Sequence, residues 1–369
     1  MQNPFTHAFG ATPSKYISTI LVEDIIENFK YEKPSERCYI LTGVRGCGKT
    51  VLMSAISREL GTEDNWVVYN LNPNINMEEQ LLAKLAEHPA CVKHIVKPKS
   101  FNISVATISV GIEYDKEKLF DAYTMIAKMI GTLSKKGIKV LITIDDVSAN
   151  DEMKTFAHTF QQLITDMANL PVYLIMTGLY SNYRELQEKK DFRGNTFLSR
   201  ALERAVAPLD ESQMAVSYFN TFDITEKESI RLAKLTKGYA FAYQLLGYWY
   251  FEKYVNNRED IKDVIVEYRS ELIKYCYSLL WLEMSIKDRL VVEAMVSVCD
   301  KDEIAKRQDI IKYLDTQGEP MKSTTFNTYK ERLVGIGIIT TSLNKSGYYK
   351  FTLPEFVNYV KLYHISEEV

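Results

Sequence analysis

No run of about 18 apolar residues occurs anywhere in the 369-residue chain, which excludes a helical membrane span. Paired cysteines are missing as well. Cys38, Cys47, Cys91, Cys276 and Cys299 are scattered, odd in number and never in Cys-x-x-Cys spacing, so neither a zinc site nor a disulfide framework is expected. Free thiols fit a reducing compartment and point to the cytoplasm. Met1 to Phe5 carries no basic stretch followed by an apolar run, so no signal peptide is expected. Internal repeats and low-complexity tracts are absent. An excess of one charge is lacking too: 45 Lys and Arg stand against 48 Asp and Glu. That balance gives no global pull toward nucleic acid, so any DNA contact must come from a local patch. What remains is an ordinary globular composition in a chain long enough for two or three domains, each able to bury its own core.

Residues Gly43-Val44-Arg45-Gly46-Cys47-Gly48-Lys49-Thr50 match G-x-x-x-x-G-K-[ST] in full, and Val51 follows as the first apolar residue of the next helix. The context carries the signal. Arg37 to Thr42 is a short β-rich run. After the motif, Val51, Leu52, Ala55, Ile56 and Leu60 recur at helical spacing, with Gly61 placed to end the helix. Gly43, Gly46 and Gly48 allow backbone amides to face a phosphate with no Cβ in the way. The following helix adds its N-terminal amides and the positive end of its dipole. Lys49 is expected to reach the β- and γ-phosphates of ATP, and the Thr50 hydroxyl to sit on Mg²⁺. Cys47 has two readings: a small filler, or a thiol activated by the helix N-terminus and Lys49.

Lys139 to Ile144 is continuously apolar and ends in Asp145-Asp146. Such a run suggests a strand buried on both faces of a parallel sheet, with acidic residues where ligands bind. Asp145 is expected to hold Mg²⁺, and Asp146 to orient and activate the attacking water. Trp66–Leu71 and Pro171–Thr177 read as further strands, the latter placing Thr177 near the γ-phosphate or the water. Helical patterns at 77–88, 117–133 and 151–168 alternate with these strands, which predicts a parallel, doubly wound α/β sheet. The alternating run 101–114 reads as a hairpin on the rim.

From about Glu211 strand-like runs give way to helical patterns. Thr225 to Glu228 has capping-box spacing before a helix at 226–236, and an aromatic-rich helix follows Gly238. From Ser285 the spacing predicts helices at 286–298, 303–314 and 323–333. A hairpin then turns through Asn344 to Gly347, and a helix at 355–363 closes the chain. Three helices and a β-hairpin describe a winged helix. Lys322, Ser323, Thr324, Asn327, Lys330 and Arg332, with Lys345 on the wing, are candidates to meet duplex DNA. Acidic and basic residues are equally numerous beyond residue 285, so a protein-docking role stands beside DNA binding.

Taken together, the chain resembles the bacterial and archaeal P-loop ATPases that join an AAA+-like core to a helical lid and a winged helix, near the archaeal replication-initiator ATPases and the STAND regulatory ATPases. The resemblance implies a parallel-sheet P-loop NTPase core of AAA+/ASCE type at 1–209, a lid at 210–282 and a winged-helix domain at 283–369. Asn3-Pro-Phe5, with Phe9-Gly10 and Pro13, looks like the segment that contacts adenine in this group. The usual Gly-Arg pair after it is absent, with Tyr16-Ile-Ser-Thr19 nearby. Asp145-Asp146 looks like the Asp-Asp of STAND members, where AAA+ enzymes have Asp-Glu, and implies slow hydrolysis. Ser199-Arg200, before Ala205 to Leu209, resembles the segment leading into the last core strand of the initiators. It implies that Arg200 or Arg204 acts in trans on a neighbouring copy's γ-phosphate. Gly238 to Ala242 looks like the STAND lid motif Gly-Leu-Pro-Leu-Ala, with Ala240 in place of proline, and Phe241 and Ala242 fill the stretch where the initiators carry their sensor-2 arginine. The implied function is a slow, Mg²⁺-dependent ATPase switch acting on DNA, a protein partner or a second copy, with a non-hydrolysing ATP-binding scaffold as the alternative.

Overall fold

The computed structural model describes residues 2–7, 13–92, 122–166, 170–188, 198, 201–258, 260–341 and 345–365. Among these residues five parallel strands form one sheet: β1 (Cys38–Thr42), β2 (Trp66–Leu71), β3 (Lys139–Ile144), β4 (Val172–Gly178) and β5 (Leu202–Ala205), in the spatial order β2-β3-β4-β1-β5. The apolar runs are continuous because both faces are covered. On one face Ile40, Val140, Ile142, Ile144, Leu174 and Met176 pack under α3 (Met77–Glu87), α4 (Ala122–Ser134) and α5 (Asp151–Asp166). On the other, Tyr39, Leu41, Leu141, Tyr173 and Ile175 pack under α1 (Ile20–Lys30) and α2 (Lys49–Gly61). Alternate residues of one strand thus serve two separate cores. α6 (Tyr180–Glu188) follows β4. The hairpin expected at 101–114 lies outside the described residues, as does the start of the helix expected from residue 117.

The last strand of the sheet lies earlier than the sequence suggests, at Leu202–Ala205 instead of 205–209. It pairs with β1 from Leu202 opposite Tyr39 to Ala205 opposite Thr42. One more bond runs from the Val206 amide to the Thr42 carbonyl at 2.8 Å. Pro208, which has no amide to donate, lies just beyond.

Helices dominate from Glu211. α7 (Glu211–Thr221), α8 (Glu226–Leu235) and α9 (Ala240–Trp249) lead into a π-helical stretch, Tyr250–Asn256. Then come α10 (Ile261–Leu272), a second π-helical stretch at Ile273–Tyr277, and α11 (Ser278–Glu283). Thr225 caps α8 by accepting from the Glu228 amide at 3.2 Å, while the Glu228 carboxylate turns to Arg231. α12 (Ile286–Val298) starts with a full capping box between Ser285 and Asp288. β6 (Ile304–Lys306), α13 (Arg307–Thr316), α14 (Ser323–Ile336), β7 (Ile339–Thr340), β8 (Tyr348–Phe351) and α15 (Phe356–Val360) complete the order, with a last π-helical stretch at Lys361–Ile365. The three strands form an antiparallel sheet in the order β6-β8-β7.

The helix expected from Glu303 begins only at Arg307, because residues 304–306 form β6. Asp300 bends the chain there by accepting the amides of Asp302 and Ile304 at 2.9 Å each. Glu303 sits in the left-handed region at φ 60°. Arg332 is less available than its sequence position implies. Its guanidinium bonds the buried Asp288 carboxylate and reaches the Ser285 hydroxyl at 2.9 Å.

The N-terminal segment straps onto α9. Asn3 donates to the Tyr248 carbonyl at 3.1 Å and to Glu252 at 2.8 Å. Phe5, 2% exposed, lies among Tyr218, Phe222 and Tyr243. Its ring is received by Gly247, where a Cβ would come within 2.5–2.7 Å of the ring carbons. The ring is held on its other sides, so it has nowhere to go. Gly247→Val should cost about 2 kcal/mol in chemical denaturation. A good part of that loss should return in the Gly247→Val/Phe5→Ala double variant relative to Phe5→Ala alone, and strict additivity would show that the socket is not real.

Candidate nucleotide site

The turn between β1 and α2 adopts the conformation its glycines permit. Gly43, Gly46 and Gly48 have φ of 150°, 78° and 101°, and Gly48 is the residue before the first turn of α2. The loop also leaves no room for side chains at two of them. A Cβ on Gly43 would lie 2.7 Å from the Cys47 sulfur, and one on Gly46 would meet the Tyr239 hydroxyl and, at 3.0 Å, Phe241 Cβ. Lys49 folds back over the loop, its Nζ donating to the Gly43 carbonyl at 3.0 Å and the Val44 carbonyl at 2.9 Å. Val51 continues the first turn of α2.

The carboxyl ends of β3 and β4 meet this loop. The Thr50 hydroxyl is 3.0 Å from both oxygens of Asp145. The Thr177 hydroxyl donates to Asp145 and accepts the Asp146 amide at 3.0 Å. The Val147 amide bonds the Thr177 carbonyl at 2.8 Å. Thr177 therefore holds the turn after β3. Its one donor faces Asp145, an occupation the sequence alone does not reveal. Asp146 has φ 55°, a left-handed conformation rare for a non-glycine residue, and its exposed carboxylate bonds no described residue. Arg204 is exposed on the edge strand β5. Ser199 and Arg200 lie outside the described residues.

Three contacts escape sequence reasoning because they join distant segments. The Tyr239 hydroxyl donates to the Arg45 carbonyl, and the Phe241 amide donates to the Gly46 carbonyl at 3.0 Å. Glu283 faces the Arg45 guanidinium at 3.6 Å. A further one lies behind the loop, where the Thr42 hydroxyl donates to Glu203 at 2.9 Å. Only the Gly238–Ala242 motif hinted at any of this. Burial pushes Tyr239 well above the usual phenol range.

A nucleotide's phosphates fit this loop, which has the glycine conformations, the close approach and the lysine that an anion cradle needs. A hydroxyl and a carboxylate side by side are hard oxygen donors of the kind Mg²⁺ takes in nucleotide sites, where phosphates complete its shell. No family model and no curated protein matches the sequence. Solved structures do. A Walker-type ATPase of Pyrococcus abyssi superposes with a TM-score of 0.58 at 15% identity, over 94% of this chain and 96% of that one. The ORC2 protein of Aeropyrum pernix, in ADPNP–ADP complexes, gives 0.55 at 10% identity, over 96% and 98%. The fold is that of the AAA+ P-loop ATPases. The ADP form of the same ORC2 protein gives 0.51 at 11% identity over 98% of both chains. Among the described residues of this AAA+ fold, no helix is long and apolar enough to cross a membrane.

Within this loop the surroundings of Cys47 favour the filler reading. Burial raises its thiol, and the opposing pull of Lys49 is the smaller effect. The sulfur fills space against Gly43 and the helical cluster behind the loop. Iodoacetamide should label Cys47 more slowly than a model thiol at pH 7, with the rate climbing as the pH rises. Fast labelling at neutral pH, read by mass spectrometry, would restore the activated-thiol reading.

Proposed function

We propose that this chain binds ATP with Mg²⁺ in the Gly43–Thr50 loop and hydrolyses it slowly, as a switch that repositions a C-terminal winged helix. The observation that carries the reading is the meeting of Thr50 and Asp145 at 3.0 Å beside a glycine cradle. The amides and side chains of Gly43 to Val51 would surround the phosphates, and Lys49 would exchange two carbonyl partners for phosphate oxygens. Thr50 and Asp145 would hold Mg²⁺, which supplies positive charge to the phosphates. Asp146 would orient the attacking water and accept its proton. Its short side chain and the lack of a lid arginine near Phe241 support slow turnover. The strap on α9 supports an adenine contact there, because His7 Nδ1 is buried without a partner among the described residues. Arg204, exposed on an edge strand, suits a role in trans if copies associate.

The domain plan we propose is a core at 1–209, a lid at 210–282 and a winged helix at 283–369. The three helices α12, α13 and α14 with the sheet β6-β8-β7 support the last of these. The exposed start of α14, Lys322 to Thr325, is the part most suited to duplex DNA, with Lys345 beyond it. Arg332 is committed to Asp288.

ATP binding and turnover, each measured with and without duplex DNA, test this. Lys49→Ala should abolish both binding and turnover. Asp146→Asn should still bind, with turnover down about 100-fold. Thr177→Val keeps the shape but lets the Asp145–Asp146 turn relax, so turnover should fall more than affinity. DNA-stimulated turnover that weakens with salt would make the winged helix a DNA reader. Indifference to DNA would favour a protein partner. Binding without any turnover in the native protein would leave the scaffold alternative.

A further inference from the structure

We infer that the described residues between 211 and 365 form a single rigid lever, with no hinge between lid and winged helix, and that this lever is seated on the P-loop residues Val44, Arg45 and Gly46. The source of its motion rests on the ATP-switch reading; its rigidity does not.

The first observation is the core. The sheet has two separate apolar clusters, one per face. The helical half has one, running without interruption from Tyr218 on α7 through Tyr268 and Tyr277 to Leu314, Phe326 and Phe356. Bending between lid and winged helix would open that core to water.

The second observation is a set of polar ties across the same junction. The Lys237 ammonium bonds Glu303 and donates to the Leu353 carbonyl at 3.1 Å. Arg269 holds Glu355 through both Nε and a terminal nitrogen at 3.0 Å each. The Tyr277 hydroxyl donates to the Pro354 carbonyl. Lys237, Glu303 and Glu355 have φ of 47°, 60° and 58°. Non-glycine residues adopt such angles where their surroundings hold them there, and here all three lie in the ties themselves.

The third observation is where the lever touches the ATPase core. Val44 is 6% exposed and belongs to the lever's apolar cluster, not to those of the sheet. Gly337, at the end of α14, brings its ideal Cβ position to 3.5 Å from a Val44 methyl. The Arg45 carbonyl is held by Tyr239, the Gly46 carbonyl by Phe241, and the Arg45 guanidinium faces Glu283. These carbonyls share rigid trans peptide units with the Gly46 and Cys47 amides. A peptide that turns its amide to a phosphate therefore moves the carbonyl that carries the lever. Residues 44–46 are among the four positions, 44–47, that the G-x-x-x-x-G-K-T pattern leaves open, so the pattern itself does not bar them from this contact.

Two measurements on the full chain test the inference. Spin labels on bio-orthogonal residues at Thr155 (α5), Lys227 (α8) and Gln308 (α13) report two distances with and without Mg²⁺ and a slowly hydrolysed ATP analogue, binding being checked on the same samples. The Lys227–Gln308 distance should stay fixed while Thr155–Gln308 shifts. A shift within the Lys227–Gln308 pair overturns the rigid lever, and bound analogue with neither distance moving overturns its coupling to the loop. If the analogue does not bind, the ATP reading fails and the seat on the loop loses its driver. Rigidity is then decided by hydrogen exchange in nucleotide-free protein carrying Ile310→Ala. Exchange should rise by the same factor in α7–α9 as in α12–α14 and stay unchanged in β3 and α5. A rise confined to α12–α14 overturns the lever.

Discussion

Asp145 accepts hydrogen bonds from two threonine hydroxyls, Thr50 on α2 and Thr177 on β4, and so draws three segments far apart in sequence to one carboxylate. The carboxylate can stand there because β3 is buried on both faces and cannot twist away from its neighbours. β4, in register beside it from Val172 to Met176, delivers Thr177 one step past the last paired position. The same hydroxyl then takes the Asp146 amide, holding that residue at a φ that costs an ordinary side chain about 1 kcal/mol. The site is thus built from the sheet outward. Remove the two-sided burial and the strand ends lose their common plane, and with it the meeting of hydroxyl, carboxylate and glycine loop.

How much of this is legible in the sequence depends on the range of the interaction. β2 and β3 coincide with their strand-forming runs residue for residue; β3 is apolar because both its faces are covered, whereas β2, at the edge of the sheet, is half-buried and leaves Asn70 exposed. The glycine loop reads equally well, because only glycine takes the angles found at Gly46 and Gly48 without strain. α12 begins and ends where its pattern does, helped by a local capping box. Legibility fails where a distant residue decides. β6 replaces the first turn of an expected helix because Asp300 binds two local amides and Lys237 takes Glu303 from across the fold. Arg332 reads as a free cation on a helix face, yet Asp288 on α12 claims it. Tyr239 reads as one aromatic among many, and its bond to the Arg45 carbonyl spans 194 positions.

The two halves of the molecule handle apolar burial differently, and the difference bears on motion. A sheet divides its surroundings, so the cores above and below it share no side chains. Helices packed on helices impose no such partition, and the cluster behind the P-loop runs continuously from the strap residue Phe5 to Val360. Packed interiors are bistable more than they are deformable. A change at the loop is therefore resolved at the boundary between the halves. That boundary is made of the strap, the Leu209–Gly238 bond at 2.8 Å, the contacts on residues 44–46 and the packing of α14 on α6, where a Cβ on Gly335 would run into the Tyr180 ring.

A ligand shifts such an arrangement only by what it gains in one state over the other. Here the competition is written into the loop. Lys49 already has two carbonyl partners, at 3.0 and 2.9 Å, and the Arg45 and Gly46 carbonyls already have theirs in Tyr239 and Phe241. On the proposed reading, phosphate oxygens would have to displace the first pair of partners, and the second pair would resist any reorientation of the loop. Each hydrogen bond exchanged in this way changes the balance by about 1 kcal/mol, more where a charge is involved. Tight binding is compatible with a small net shift, because part of the interaction energy is offset by bonds broken within the protein. The response would then depend on Tyr239, Phe241 and Glu283 as much as on the residues proposed to meet the phosphates. On the proposed reading, those three side chains would set how far a given affinity moves the lever.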